Sequence, residues 1–313
     1  MLYFRCLKKN EIANEMIDKF MEYLQYEKNY SSHTVLSYHT DLKEFCSFLN
    51  KKESEFDPKE IDSNQIRMWV LELSDEKNSP RSIARKISTL RSFWKFLQKI
   101  NYTENNPVRK IVVPKADKPL PAFFKESEMQ DILNDEFLPE DFEKVRNHLI
   151  VKLLYATGIR RSELVNLKDT DIDFSRKEIR VIGKRNKERI EPLLDEVLVD
   201  IKTYIELRNR VLESRDNYLF LLINGKKLYV DKVYLIVKEA TKNKTTLKKR
   251  SPHVLRHTFA TAILNEGADI NAVKELLGHS SLASTQVYTH TTFDELNKIY
   301  KKTHPRNKLK VKN

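Results

Sequence analysis

The segment EIRVIGKRNKERIEPL, residues 178–193, differs from its surroundings because its pattern repeats every two residues. Ile179 and Val181 alternate with charged residues, 184–188 is wholly polar, and 189–193 resumes the alternation of apolar and charged residues. A period of two is typical of strands, whose successive side chains point to opposite faces of a sheet. The segment therefore predicts a β-hairpin with a basic turn.

Helical patterns lie on both sides of this hairpin. Before it, residues 11–101 and 143–156 place apolar residues three and four apart, and the second pattern ends at Gly158, a common helix terminator. After it, similar patterns occur around residues 194–212, 231–243, 253–266, 270–277 and 281–288. We therefore predict a mainly α fold with a small β-sheet.

A proline-rich stretch divides the chain of 313 residues, which is longer than a usual single domain. Four prolines lie between residues 105 and 123: Pro107, Pro114, Pro119 and Pro121. Prolines at that density favour an extended strap over helix or sheet. We predict an all-α domain over residues 1–106, a linker over 107–122 and an α+β domain over 123–313.

One helix of the first domain combines an apolar stripe with a basic face. The stripe consists of Ile83, Ile87, Leu90, Trp94 and Leu97. Lying mostly off it are Arg81, Arg85, Lys86, Arg91 and Lys95. Such a face could lie on the phosphates of a nucleic acid, and an ordinary solvated face is the alternative.

Composition narrows the class of protein. Lys and Arg number 57 against 45 Asp and Glu, a net charge of +12, which is typical of proteins that bind a polyanion such as nucleic acid, although it also aids solubility. The longest apolar runs, such as residues 218–223, are too short to cross a bilayer, and no secretory signal is evident, so we expect a cytoplasmic protein. The two cysteines, Cys6 and Cys46, indicate neither a disulfide scaffold nor a zinc site.

Two arginines of the second domain, Arg160 and Arg256, suit a reaction at a phosphodiester, because guanidinium groups bind phosphate oxygens and stabilise developing negative charge. His253 lies three residues before Arg256 on a predicted helix, so both project from one face. Taken singly, each is more often a surface, capping or partly buried structural residue. His257 follows His253 by four residues, as metal ligands can, but Val254 stands where a zinc protease needs glutamate, so no metal is expected.

Five motifs occur in order in the second domain: ATGIRRSEL at 156–164, GKRNKER at 183–189, HVLRHTFA at 253–260, LLGHS at 276–280 and YTH at 288–290. Together they closely resemble those of the tyrosine recombinases, also called the integrase family, and among them the Xer recombinases. SIARKISTLRSF at 82–93 is similar to a helix of the family's core-DNA-binding domain. The resemblance implies an all-α, SAM-like DNA-binding domain followed by an α+β catalytic domain.

The resemblance also implies roles for individual residues. Tyr288 would attack the scissile phosphate and form a 3′-phosphotyrosyl link, without cofactor or metal. The groups that would assist it are Arg160 and Arg256 as the phosphate clamp, His253 and His279 as further hydrogen-bonding groups, and Lys184 as general acid to the departing 5′-oxygen. Lys184 is preferred to Lys187 because it directly follows Gly183, as in the family motif.

The function implied is site-specific recombination of double-stranded DNA in a homo- or hetero-tetramer, in the Xer manner of chromosome dimer resolution. A second Xer-like recombinase and a septal DNA translocase are expected partners of such a protein. Three alternatives remain open: the integrase of a mobile element, a type IB-like topoisomerase, and a DNA-binding protein that has lost catalysis. The complete set of motifs argues against the last.

Overall fold

The computed structural model describes residues 12–113, 122–183 and 186–278, apart from the side chains of residues 12–15, 274 and 275. The chain divides into two compact units, Met1–Pro119 and Leu120–Asn313. Helices dominate the described part of both units, and a small sheet lies in the second, as the sequence predicts. The domain limits at residues 106 and 123 stay a prediction.

Four α-helices build the described part of the first unit. They are α1 (Ile12–Glu22), which continues as a π-helical turn (Tyr23–Glu27), α2 (Ser32–Phe48), α3 (Ser63–Asp75) and α4 (Pro80–Lys99). Helix α4 packs against the other three because its predicted apolar stripe, from Ile83 to Leu97, is fully buried. Ser79 starts α4 by accepting a hydrogen bond from the amide of Ser82.

The basic face of α4 is largely committed to contacts within the unit. Arg85 donates to the buried carboxylate of Asp41 at 2.5 Å, and Lys86 is itself buried and pairs with Glu44. Arg91 donates to the carbonyl of Ile111 at 2.7 Å. Of the five basic residues, only Arg81 and Lys95 are exposed without a described partner, so most of this face has a structural role.

The first residues of the predicted linker pack onto the first unit. Val108 and Ile111 are buried in its core, and the carbonyl of Pro107 accepts a hydrogen bond from Ser63 at 3.0 Å. Residues 107–111 therefore pack with the first unit, and the extended linker over 107–122 stays a prediction. Prolines 114, 119 and 121 lie outside the described residues.

The second unit is arranged around one helix. Its helices are α5 (Glu126–Leu133), α6 (Phe142–Thr157), α7 (Arg161–Leu164), α8 (Asp195–Val211), α9 (Val230–Ala240), α10 (Pro252–Asn265) and α11 (Ile270–Leu276). Helix α6 is buried on nearly all sides and packs against α8, α9 and α10. A helix buried on nearly all sides is typical of a domain centre.

The predicted hairpin is confirmed as part of an antiparallel sheet of three strands in the order β1 (Ile172–Asp173), β2 (Glu178–Ile182) and β3 (Glu188–Pro192). On β2, Ile179 and Val181 point into the core. The register pairs Ile179 with Glu191 and Val181 with Arg189.

This register places charged rather than apolar side chains on the inward face of β3. Because paired residues share a face of the sheet, Arg189 and Glu191 point inward with the apolar residues of β2. Glu191 is 1% exposed, whereas the apolar Ile190 is 49% exposed. Strand β3 thus delivers two charged side chains to the interior.

No helix in the described part of the chain is long and apolar enough to cross a membrane.

Candidate functional site at the ends of helices α6 and α11

The end of α6 brings Arg160 close to α10. Gly158 ends the helix with φ +64°, in the left-handed region that glycine adopts without strain. A Cβ at this position would collide with the ring of Phe259 on α10. Glycine is therefore required both for the turn and for the close approach of the two helices, and Arg160 follows two residues later.

Arg160 is held by the first turn of α7. Its backbone N–H donates to Oε2 of Glu163 at 2.8 Å, and its Nη1 donates to Oε1 of the same carboxylate at 2.8 Å. Its Nη2 donates to the carbonyl of Gly278 at 3.2 Å. Arg160 remains 33% exposed, so its guanidinium is both oriented and accessible to a ligand.

Arg256 lies on α10 and is almost fully buried, with 8% exposure. Its Nη1 donates to the carbonyl of Gly158 at 2.6 Å and its Nη2 to the carbonyl of Leu277. Both acceptors are neutral, and among the described residues no carboxylate lies within ion-pair distance of this guanidinium. Burial and the nearby charge of Arg160 lower the pKa of Arg256 to about 10. Such a charge favours the binding of an anion.

His253 lies one turn before Arg256 and is exposed at the start of α10. Partial burial of the ring, together with the charges of Arg161, Arg256, Lys249 and Arg160, lowers its pKa below 6.5. Because His253 lies three residues before Arg256 on α10, the two side chains project from the same face of the helix. A neutral imidazole at neutral pH is able to accept a proton.

Two charged residues from the hairpin complete the described site. Arg189 donates to both oxygens of Glu163, at 3.1 and 2.8 Å. Its Nε donates to Glu191 at 2.7 Å and to the carbonyl of Leu276 at 3.1 Å. Burial alone would raise the pKa of Glu163, but the hydrogen bonds and charges of Arg189 and Arg160 outweigh it and lower that pKa.

Glu163, Arg189 and Glu191 are not among the functional residues predicted from the sequence. A signal was nevertheless present. Arg189 and Glu191 occupy alternate positions of a strand, as Ile179 and Val181 do, so an antiparallel register could place all four on one face. Only the register itself, however, chooses between this face and the one that carries Ile190.

Lys184, His279 and Tyr288 lie outside the described residues, but the residues directly before the first two lie at the site. A Cβ at Gly183 would be 3.4 Å from Oε1 of Glu163. The carbonyl of Gly278 accepts the hydrogen bond from Arg160. The structure therefore brings together Arg160, His253 and Arg256, and the chain leads from the same place to Lys184 and His279.

A basic cavity opens beside the start of α10. It has a volume of about 300 Å³ and is lined by Tyr234, Lys238, Lys248, Lys249, Arg250 and Ser251. The charge of Lys249 also reaches His253, where it contributes to the lowered pKa. Positive charge thus extends from the buried arginines to the surface around them.

Comparisons with known proteins identify the family that this chain resembles. Residues 122–295 match the model of the phage integrase family, and residues 17–100 match the phage integrase N-terminal SAM-like domain. A tyrosine recombinase XerC of Oceanobacillus iheyensis is 41% identical over 296 residues, covering 93% of this chain and 96% of that protein. A tyrosine recombinase XerD of Staphylococcus saprophyticus is 38% identical over 294 residues, covering 93% and 99%.

Among solved structures, the XerH site-specific recombinase bound to a palindromic difH substrate, in a post-cleavage complex, has a similar fold. Its TM-score is 0.71 at 19% identity, and the match covers 98% of this chain and 97% of that one. At 19% identity this likeness shows that the two proteins share a fold, and nothing more.

Proposed function

Because this chain belongs to the phage integrase family and is a site-specific tyrosine recombinase, an enzyme that cleaves and rejoins DNA, we propose that it acts through Tyr288 and the site around Arg256. The observation that carries this assignment is the buried charge of Arg256, which has only neutral described partners. A scissile phosphate would supply the missing negative charge. Arg160, oriented by Glu163, would bind the same phosphate.

In the proposed reaction the hydroxyl oxygen of Tyr288 attacks the scissile phosphorus, and the bond from phosphorus to the 5′-oxygen breaks. The DNA is then joined to the protein through a 3′-phosphotyrosyl ester. An unperturbed phenol has a pKa of about 10, so a base is needed near neutral pH, and the lowered pKa of His253 suits it to accept that proton. Lys184 would protonate the departing 5′-oxygen, and His279 would bind the phosphate.

The reaction stores the energy of the broken bond in the phosphotyrosyl ester. A 5′-hydroxyl of a second DNA strand attacks this ester, re-forms the phosphodiester and releases Tyr288 with its proton. Neither ATP nor a cofactor is consumed, and exchange is reversible. The two arginines would act mainly in the pentacoordinate transition state, where negative charge on the phosphate oxygens is greatest.

Double-stranded DNA is the proposed partner. The net charge of +12 and the basic cavity at Lys238, Lys248, Lys249 and Arg250 support binding to the DNA backbone. The strand exchange requires several protomers on two duplexes, so we propose a tetramer of this chain, alone or with a second Xer-like recombinase. Phe293, Leu296 and Ile299, three residues apart near the C-terminus, would supply a contact between protomers, and they lie outside the described residues.

For the biological role, we propose resolution of chromosome dimers in the cytoplasm, with a septal DNA translocase as an expected partner. The integrase of a mobile element is the second candidate, because such an enzyme would cleave and rejoin DNA by the same tyrosine chemistry. Selection of bound fragments from the genome of the source organism distinguishes the two. A site near the replication terminus supports dimer resolution, whereas sites at the ends of an element support integration.

The chemistry is tested by trapping the covalent intermediate. On a nicked duplex that carries the selected site, wild-type protein is expected to form a covalent adduct, while Tyr288→Phe forms none and binds the DNA with unchanged affinity, because only the attacking oxygen is removed. Absence of an adduct with wild-type protein would contradict the proposal. Relaxation of supercoiled DNA by dilute protein, without any specific site, would favour the topoisomerase alternative.

A further inference from the structure

Arg189 is a buried arginine that connects the described segments of the site. Its fork binds both oxygens of Glu163 on α7, and its Nε is shared between Glu191 of β3 and the carbonyl of Leu276 at the end of α11. It is 11% exposed. The hairpin, helix α7 and the segment that precedes His279 therefore meet at one guanidinium.

We propose that Arg189 is a positioning residue for DNA cleavage, which sets the relative placement of Arg160, Arg256 and the segment 276–278, and that Glu191 orients Arg189. The inference rests on the proposed function, because it concerns how the phosphate clamp is held. Arg189 is assigned no contact with DNA. Its effect is transmitted through Glu163 and through the backbone.

Three consecutive carbonyls support the proposal. That of Leu276 accepts from Arg189, that of Leu277 from Arg256 and that of Gly278 from Arg160. Successive Cα atoms of a chain are about 3.8 Å apart, so the backbone fixes the distances between the three acceptors. A displacement of Arg189 would therefore shift these three carbonyl groups, and with them the side chains of Arg160 and Arg256.

The contacts of Arg189 require a guanidinium. Nη1 and Nη2 each reach a different oxygen of Glu163, while Nε points to Glu191 and Leu276. A lysine carries its three donors on one nitrogen atom and has no planar fork, so it keeps the charge but not this arrangement. A lysine at position 189 would therefore preserve the stability of the fold better than it preserves the geometry of the site.

Glu191 occupies a position where an apolar side chain would be less costly. It is fully buried, and among the described residues its second oxygen, Oε2, has no hydrogen-bond partner. Burying such a group is unfavourable unless it has another use. Its first oxygen accepts from Nε of Arg189 and thereby fixes the rotation of the fork toward Glu163.

Arg208 offers a matched control for Arg189. It lies on α8, is also buried, binds both oxygens of Asp169 and donates to the carbonyls of Tyr218 and Leu219. None of these partners belongs to the site. Replacing either arginine by lysine therefore removes a buried fork of the same kind, at the site or away from it.

The test compares Arg189→Lys and Arg208→Lys in the full chain. Single-turnover adduct formation is measured at saturating protein on the nicked duplex, and DNA affinity is measured separately. We expect Arg189→Lys to lower the cleavage rate about 100-fold, as a misplaced group can, with unchanged affinity, and Arg208→Lys to keep the wild-type rate. A wild-type rate in Arg189→Lys, or an equal loss in Arg208→Lys, overturns the proposal. A wild-type protein without adduct would instead overturn the proposed function.

The role of Glu191 is tested by two further variants, which also serve if Arg189→Lys does not fold. Glu191→Gln keeps an acceptor for Nε of Arg189 and is expected to retain the cleavage rate. Glu191→Val removes the acceptor and is expected to slow cleavage without changing DNA affinity. Valine itself suits a buried strand position. Equal rates in the two variants would show that Glu191 does not orient Arg189.

Discussion

Arg208 on α8 and Arg256 on α10 are both buried arginines of the second unit, but they differ in their partners. Arg208 forms a fork to Asp169, at 2.8 and 2.6 Å, whereas the partners of Arg256 in the described part of the chain are carbonyls. Burial opposes the charge of both, but the carboxylate of Asp169 outweighs it and raises the pKa of Arg208. The pKa of Arg256 is lowered to about 10.

The comparison shows that burial does not distinguish a functional arginine from a structural one. What differs is that, among the described residues, Arg208 has a carboxylate at hydrogen-bond distance and Arg256 has none. An uncompensated buried charge costs stability, and proteins tolerate that cost mainly at sites where a ligand later supplies the opposite charge. Arg208 forms its ion pair within the fold, whereas Arg256, in the function that we propose, pairs with the phosphate of the DNA.

The largest effect is expected for Arg256→Ala. Removing one charged donor from the transition state should slow cleavage about 1,000-fold. The free energy of unfolding should fall less than in Arg208→Ala, because the loss of the hydrogen bonds to Gly158 and Leu277 is offset in part by removal of a buried charge without a described ion pair. Single-turnover adduct formation and urea unfolding measure the two quantities. A large loss of stability with little loss of rate would place Arg256 in the same class as Arg208 and break the comparison.

Arg208→Ala should show the opposite pattern. The variant leaves a cavity and the buried carbonyl of Leu219 without its donor, so the free energy of unfolding should fall by about 3 kcal/mol. The cleavage rate of the folded fraction should stay at the wild-type value. Urea unfolding, followed by the adduct assay at a temperature where the variant is folded, tests this, and a specific catalytic defect would contradict it.

A smaller effect is expected from Glu191→Gln, seen in the pH dependence of stability. Burial raises the pKa of Glu191 from 4.5 to about 8, and Arg189 and Arg256 only partly oppose the shift. Between these values the folded state binds more protons than the unfolded state, so the stability contributed by protonated Glu191 is complete below pH 4.5 and is lost as pH rises through about 8.

Glu191→Gln removes this titration. The free energy of unfolding of the variant, relative to wild type, should therefore increase between pH 5 and pH 8, by at most about 1.4 kcal/mol per pH unit. Unfolding measured across this range checks the slope. A difference that is constant with pH would mean that Glu191 is already ionised in the folded protein and serves Arg256 as a distant counter-charge.

Local patterns were sufficient for much of the fold. The stripe from Ile83 to Leu97 is buried as predicted, Gly158 ends α6, and the hairpin lies within residues 178–193. These features depend on periodicity and on glycine, which act over a few residues. The meeting of Arg160 with Arg256 was predicted only through the motifs, because no local rule joins residues almost 100 positions apart.

Other features depended on packing. The basic face of α4 is mostly occupied by partners such as Asp41 and Glu44 on α2, which lie far away in the sequence. The start of the predicted linker joins the first core for a similar reason, since Val108 and Ile111 find an apolar surface there. Proline content describes backbone preference but not what the neighbouring side chains can bury.

By itself, the sequence determined the kinds of elements and the chemistry available to them: helices with one strand pair, a surplus of positive charge, and arginines and histidines suited to a phosphate. Only the tertiary structure decided which charged groups face inward and which of them have a counter-charge. The reason is that side-chain alternation leaves two faces open, and strand register selects one of them. Through that selection Arg189 and Glu191, rather than Ile190, reached the site.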